Sequence, residues 1–176
     1  MTAPGRRLML LRHAKSDWGD PSLADIERPL APRGRRAAAV IGAYLRGHAL
    51  VPDLIVTSPA VRTRETVELL GLDAVPVEAD RALYGGGEDG LLERLRIVPD
   101  EVRALLLVGH NPGIGRLAAL LVDDEGRDLV GSYPTGALTV AEPGADTWSE
   151  LSWSSCHVLA YVTPKSLVRE DRGDRG

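Results

Sequence analysis

Two histidines and two arginines stand in this chain where apolar runs stop. The run 8–11 ends on Arg12 and His13, and 104–108 ends on Gly109 and His110. The run 54–56 breaks at Ser58-Pro59 and leads into a stretch that carries Arg62. Short continuous apolar runs are the pattern of strands covered on both faces in a parallel sheet. In open α/β sheets, ligands sit outside the carboxyl ends of the strands, which makes all four polar side chains candidates for one site. The chemistry they suit is phosphoryl chemistry. A phosphoryl group carries nearly two negative charges at neutral pH, and one arginine at ~4 Å gains about 4 kcal/mol of gross attraction at an effective dielectric near 20. Two arginines and a histidine hold such a group without a metal. A neutral histidine is a competent covalent nucleophile, and neighbouring arginines keep it neutral by disfavouring its protonation.

The intervening segments must position these ends. Residues 19–33, with Pro21, Pro29 and Pro32, form a loop over the site's edge. The basic cluster Arg28, Arg33, Arg35 and Arg36 there reads as a solvated face with scattered ion pairs. In 34–47, Ala37, Ala38, Ile41, Tyr44 and Leu45 recur at helical spacing, and His48 caps the carboxyl end. Ser58 suits a helix N-cap and Pro59 its first turn, with the helix running to Leu70. Arg62 then sits in the first turn, where the helix dipole disfavours a cation unless an anion is present. Arg64 is expected to be solvated beside Glu68.

Residues 75–77 suit a short strand, and 80–89, with three consecutive glycines, a mobile loop able to act as a lid. Leu91, Leu92 and Leu95 mark one helical face. The helix expected over 114–122 offers backbone donors to an anion behind His110. An acidic surface loop over 123–128 follows, then a turn over 133–136, strands over 137–140 and 158–162, and Trp148 and Trp153 covering a core edge. His157, at a strand entrance, is assigned no chemistry.

A chain of 176 residues, 44% hydrophobic and 26% charged, fits one globular domain, expected over 1–168, with 169–176 as a disordered tail. A net charge of −4 gives no general case for nucleic acid or an anionic membrane as partner. The lone Cys156 cannot form an internal disulfide, and no run approaches the ~18 apolar residues of a membrane span. Residues 1–7 lack the apolar stretch of a signal peptide, so a cytoplasmic protein is expected. His13 and His110 have no third ligand at recognisable spacing, so neither a metal nor another cofactor is called for.

Four segments, in order, resemble the histidine phosphatase superfamily (phosphoglycerate mutase-like), in its SixA-like phosphohistidine phosphatase branch. They are Arg12-His13-Ala14-Lys15-Ser16, Ser58-Pro59-Ala60-Val61-Arg62-Thr63-Arg64-Glu65-Thr66, Gly109-His110-Asn111-Pro112-Gly113 and Tyr133-Pro134-Thr135-Gly136-Ala137-Leu138. The resemblance covers nearly the whole chain. It implies a three-layer α/β/α fold with a mostly parallel sheet, transient phosphorylation of His13, and Arg12, Arg62 and His110 as ligands of the phosphoryl group.

The chain departs from the broader family at the general acid. A carboxylate is expected after the second motif, and Glu78, Asp80, Glu88, Asp89 and Asp17 are candidates, with Asp80 and Glu88 foremost and solvated loop roles open to each. The expected activity is dephosphorylation of phosphohistidine or another phosphoramidate, on a signalling protein or on a small phosphorylated substrate. A general phosphomonoesterase for a small metabolite is the alternative. A non-catalytic module for phosphorylated partners is the third reading, which the intact His13 disfavours.

Overall fold

Alternation along β1 (Arg7–Arg12) sends Leu8 and Leu10 into one apolar cluster and Met9 and Leu11 into another, because successive strand side chains point to opposite faces. A strand buried on both faces needs helices on both. A computed structural model describes residues 5–173 and supplies them. On the Met9 and Leu11 side lie Ile41 and Leu45 of α1 (Pro32–Gly47), Val67 of α2 (Val61–Leu69) and Leu167 of α6 (Pro164–Gly173). On the Leu8 and Leu10 side lie the leucines of α3 (Glu88–Arg96) and Ile114, Leu117 and Leu121 of α4 (Gly113–Leu121). Burying each such side chain contributes about 1.5–3 kcal/mol, so this double cover is the main source of cohesion.

The remaining strands are β2 (Leu54–Thr57), β3 (Val77–Ala79), β4 (Ala104–Gly109), β5 (Leu138–Pro143) and β6 (Cys156–Val162). They form one six-stranded sheet in the order β3-β2-β4-β1-β5-β6. β3, β2, β4 and β1 are parallel, with Arg12 opposite Gly109 and Thr57 opposite Val108, whereas β5 runs antiparallel to β1, and β6, antiparallel to β5, runs in the direction of β1 again. The chain begins at β1, steps out to β2 and β3, and returns to insert β4 between β2 and β1. The carboxyl ends of those three neighbours therefore open on one crevice.

Several boundaries differ from expectation. Pro32 opens α1, using a position where its missing donor costs nothing, so the loop ends earlier than 33. α2 starts at Val61 behind Ala60, leaving Ser58 and Pro59 outside it. The short strand is Val77–Ala79, at an exposed sheet edge. A 3-10 turn over Arg81–Leu83 and the start of α3 at Glu88 take up half of the expected lid, leaving the glycines between them. The acidic 123–128 segment is no loop: Asp123 accepts from the Gly126 N–H at 2.7 Å and caps α5 (Asp124–Leu129). Trp148 is fully buried and donates to the Val102 carbonyl at 2.7 Å, whereas Trp153 stays 38% exposed and does not share the core. α6 occupies the first part of the expected disordered tail, to Gly173, and 174–176 lie outside the described residues. His48 caps α1 as expected, its Nδ1 2.9 Å from the Tyr44 carbonyl. Among the described residues no helix is long and apolar enough to cross a membrane.

Candidate active site

The backbone at the end of β1 is held from every side. His13 N–H donates to the Gly109 carbonyl at 3.0 Å, tying the first motif to the third. Gly136 N–H is shared by the carbonyls of Arg12 and His13, 3.1 Å from each, and Ala14 N–H donates to Thr66 Oγ1 at 3.1 Å. Gly136 adopts φ +79°, and a Cβ there would stand 2.6 Å from Pro164 Cγ, so the turn that clamps the nucleophile's strand end requires glycine.

The His13 ring is 6% exposed, and its Nδ1 lies 2.7 Å from the Ala14 carbonyl. A carbonyl only accepts, so Nδ1 carries the proton and Nε2 carries the lone pair. Burial lowers the His13 pKa to about 3; the Ala14 hydrogen bond opposes this, and the charges of His110, Arg62 and Arg12 add to it. His110 stands beside it, ring centroids 5.0 Å apart. Arg62 donates one Nη2 hydrogen to His110 Nδ1 at 3.2 Å, so the neutral ring carries its proton on Nε2 and donates to Ser58 Oγ at 2.8 Å. Burial, then Arg62, lowers the His110 pKa to about 4, with Asp25 opposing and Arg12 assisting.

Arg12 donates from Nη1 to the Tyr133 carbonyl at 2.9 Å, while its buried Nε has no hydrogen-bond partner. A buried guanidinium N–H without an acceptor is costly and marks a place for an anion. Arg62 lies in the first turn of α2 as expected, 8% exposed. Two histidines that are neutral, two cationic forks and a buried orphan donor thus meet at the ends of β1, β4 and β2. Among the described residues, no three His, Cys, Asp or Glu side chains assemble into a group able to hold a metal.

Three residues join the site that sequence reasoning did not place there. Asp25, in a 3-10 turn of the loop after β1, accepts from Arg62 Nη2 at 3.0 Å through Oδ2 and from Nη1 at 2.6 Å through its backbone carbonyl. Tyr84 donates to the same Oδ2 at 2.8 Å and sets its ring edge-on to His110, centroids 5.6 Å apart. Burial works against ionisation of Asp25, but the hydrogen bonds of Tyr84 and Arg62 and the charges of Arg62 and His110 hold its carboxyl below the ordinary range. Ser58 is fully buried and accepts from Ala60 N–H at 3.2 Å as well as from His110. It spans two motifs instead of capping a helix.

The candidate acids are occupied elsewhere. Asp80 accepts from Ala82 N–H at 2.8 Å and from Arg94 Nε at 2.7 Å, and these contacts keep its carboxyl ionised. Glu78 pairs with Arg94 at 2.8 Å, Glu88 lies 3.9 Å from Arg116, and Asp17 accepts from Gly19 N–H. Asp89 and Arg64 are exposed. No hydrogen bond or ion pair joins any of these carboxylates to His13, His110, Arg12 or Arg62 among the described residues.

Known proteins share this arrangement of chain. A family model described as Histidine phosphatase superfamily (branch 1) matches residues 8–85, which include the first two motifs. An uncharacterized protein of Mycobacterium tuberculosis is 34% identical over 161 residues, covering 88% of this chain and 100% of the relative. Phosphohistidine phosphatase SixA of Escherichia coli is 25% identical over 152 residues, 81% of this chain and 91% of that one. The solved structure of the Putative Phosphohistidine Phosphatase SixA from Nakamurella multipartitia superposes with a TM-score of 0.84 at 31% identity, covering 92% of this chain and 98% of that chain.

Proposed function

This chain belongs to the histidine phosphatase superfamily, and on that premise we propose that it is a phosphatase acting through a covalent phosphohistidine on Nε2 of His13. The preferred substrate is phosphohistidine or another phosphoramidate, carried on a protein or on a small molecule. The observation that carries the reading is the fixed tautomer: the Ala14 carbonyl holds the Nδ1 proton, so the lone pair needed for attack is on Nε2.

The Nε2 pair attacks phosphorus as the bond to the leaving group breaks, and the leaving group departs with that bond's electrons. The imidazole becomes cationic as it is phosphorylated, and the Ala14 carbonyl 2.7 Å from Nδ1 stabilises the charge that develops. Arg12, through its unpaired Nε–H, and Arg62 face the negative charge spread over the phosphoryl oxygens. Water then attacks the phosphorylated His13, the P–N bond breaks, its pair returns to Nε2, and inorganic phosphate leaves. A dianionic phosphoryl group also raises the proton affinity of both histidines, which lets His110 donate to it once bound.

Among the described residues, Asp25 is the one carboxylate bonded to this set, and it lacks a proton to give: it accepts from Arg62 and Tyr84 and is held ionised. Its role is to aim Arg62. Without an acid, the leaving group must depart unaided, which favours an imidazole over an alkoxide and so favours phosphohistidine over a metabolite ester. Trapping with a labelled phosphoryl donor tests the mechanism. An acid-labile adduct on His13, absent from His13→Ala together with turnover, is expected; label on another residue or turnover by the variant overturns it.

A further inference from the structure

A second cationic cavity adjoins the site, and no step above uses it. It has a volume of about 350 Å³ and lies between Lys15, Arg33 at the start of α1 and Lys165 at the start of α6, with Ala37, Pro134 and Pro164 among its apolar walls. No lining residue is acidic, in a chain with more acidic than basic residues. None of the three cations forms an ion pair with another described residue, whereas Arg35, Arg62, Arg94 and Arg96 all do.

Two of these cations stand where a helix dipole disfavours a positive charge. Arg33 and Lys165 occupy the first turns of α1 and α6, neither of which carries an acidic residue there. A helix's amino end is positive, so a cation in the first turn is disfavoured unless an anion offsets it. Two helices present that misfit to one cavity, and Lys15 adds a third positive charge. Close packing fixes the arrangement: a Cβ on Gly34 would stand 2.1 Å from the Lys15 carbonyl, and the turn at Gly136 packs on Pro164.

The cavity is also within reach of a substrate held at His13. Lys15 is two residues beyond His13, a span of at most about 7 Å of backbone. Thr135, in the cavity wall, precedes the Gly136 N–H that binds the His13 carbonyl. We infer that this cavity binds a second anionic group of the substrate, one carried on a short apolar stem that lies along the proline and alanine walls. The inference rests on the phosphatase reading for the identity of the first group, and it names a specificity determinant separate from the phosphoryl site.

The test uses the Arg33→Gln/Lys165→Gln double variant, both positions being exposed and outside the phosphoryl site. Two phosphohistidine peptides differing only by Glu or Gln beside the phosphohistidine are compared, and in parallel a singly and a doubly phosphorylated sugar. Wild type is expected to favour the more anionic member of one pair roughly tenfold in kcat/KM, through KM, which corresponds to about 1.4 kcal/mol. The double variant should lose that preference while hydrolysing p-nitrophenyl phosphate, which has no second anion, as wild type does. Preference within the peptide pair assigns the anion to a protein, and preference within the sugar pair to a metabolite. Wild type without either preference, or a preference that survives in the double variant, overturns the inference. Binding of the unphosphorylated Glu and Gln peptides, followed by the amide shifts of Thr135 and Lys165, separates the two readings. Discrimination by wild type and not by the variant, in an enzyme that turns over nothing, retains the cavity and removes the phosphatase; equal binding, with no preference in either substrate pair, removes the cavity.

Discussion

Lowering the pH from 7 to 5 should destabilise this fold through the two histidines that make its chemistry possible. Both have folded-state pKa values below 6.5, about 3 for His13 and about 4 for His110, chiefly because burial penalises the charged ring. The unfolded chain takes up protons at both as the pH falls through 6.5, while the folded chain does not, so proton binding favours unfolding. The stability is fully present above 6.5 and is lost as the pH falls toward those folded values. At pH 5 each ring contributes a loss of 1.36 × (6.5 − 5), about 2 kcal/mol, or about 4 kcal/mol for the pair. Asp25 and Asp80, held below 3.8, act in the same direction but in a lower window, losing their contribution only as the pH falls past the ordinary carboxylate range, so they leave this interval clear. Urea unfolding at pH 7 and pH 5 measures the loss, and with a slope of about 2 kcal/mol/M the midpoint should fall by about 2 M. The His13→Gln variant retains one of the two titrating rings and should lose about half as much. Equal losses in variant and wild type would mean that His13 titrates at its ordinary value, and that neither its burial nor its cationic neighbours lower its pKa.

Arg62→Ala should lower kcat/KM by roughly 10²-fold, the cost of removing a preorganised donor to the charge of the transition state; a folded variant with unchanged kcat/KM removes Arg62 from the site. Asp25→Asn should lower kcat/KM about tenfold, as expected for a slightly misplaced charged donor, and shift the His110 titration further down, because the Asp25 charge now raises it; an unmoved His110 resonance in a pH titration excludes the positioning role. kcat/KM should fall steeply from phosphohistidine through aryl to alkyl phosphates, by about 10² to 10⁴ beyond the intrinsic difference, the usual contribution of a general acid, because the candidate carboxylates are bonded elsewhere. Rapid hydrolysis of a glycerol or sugar phosphate, abolished by removing Asp80 or Glu88, would reveal that acid.

The parallel core was legible because its signal is local. A run such as 104–108 excludes water from both faces of its own strand, and no distant residue is needed to read it. β5 and β6 were legible as strands but not as to direction: β5 runs against β1 because the short turn at 133–136 returns the chain beside it. Two of the misread boundaries have different causes, one a local cap and the other a contact distant in sequence. Asp123 turns an acidic stretch into α5 by accepting one amide, and Ser58, a good N-cap by type, is drawn away by a histidine 52 residues later in the chain.

That last contact shows why part of the site stayed hidden. His13, Arg12, Arg62 and His110 announced themselves by standing where apolar runs end, a property each has in its own neighbourhood. Asp25 and Tyr84 have no such property. Each is a polar residue in a polar loop, and what makes them part of the site is a single carboxylate oxygen that receives Arg62 from α2 and Tyr84 from the segment before α3. The one available signal was the misfit of Arg62 itself. A buried cation in the first turn of a helix demands an anion, and Asp25 supplies one at 3.0 Å. A carboxylate held ionised in this way serves as an anchor for Arg62 rather than as a proton donor.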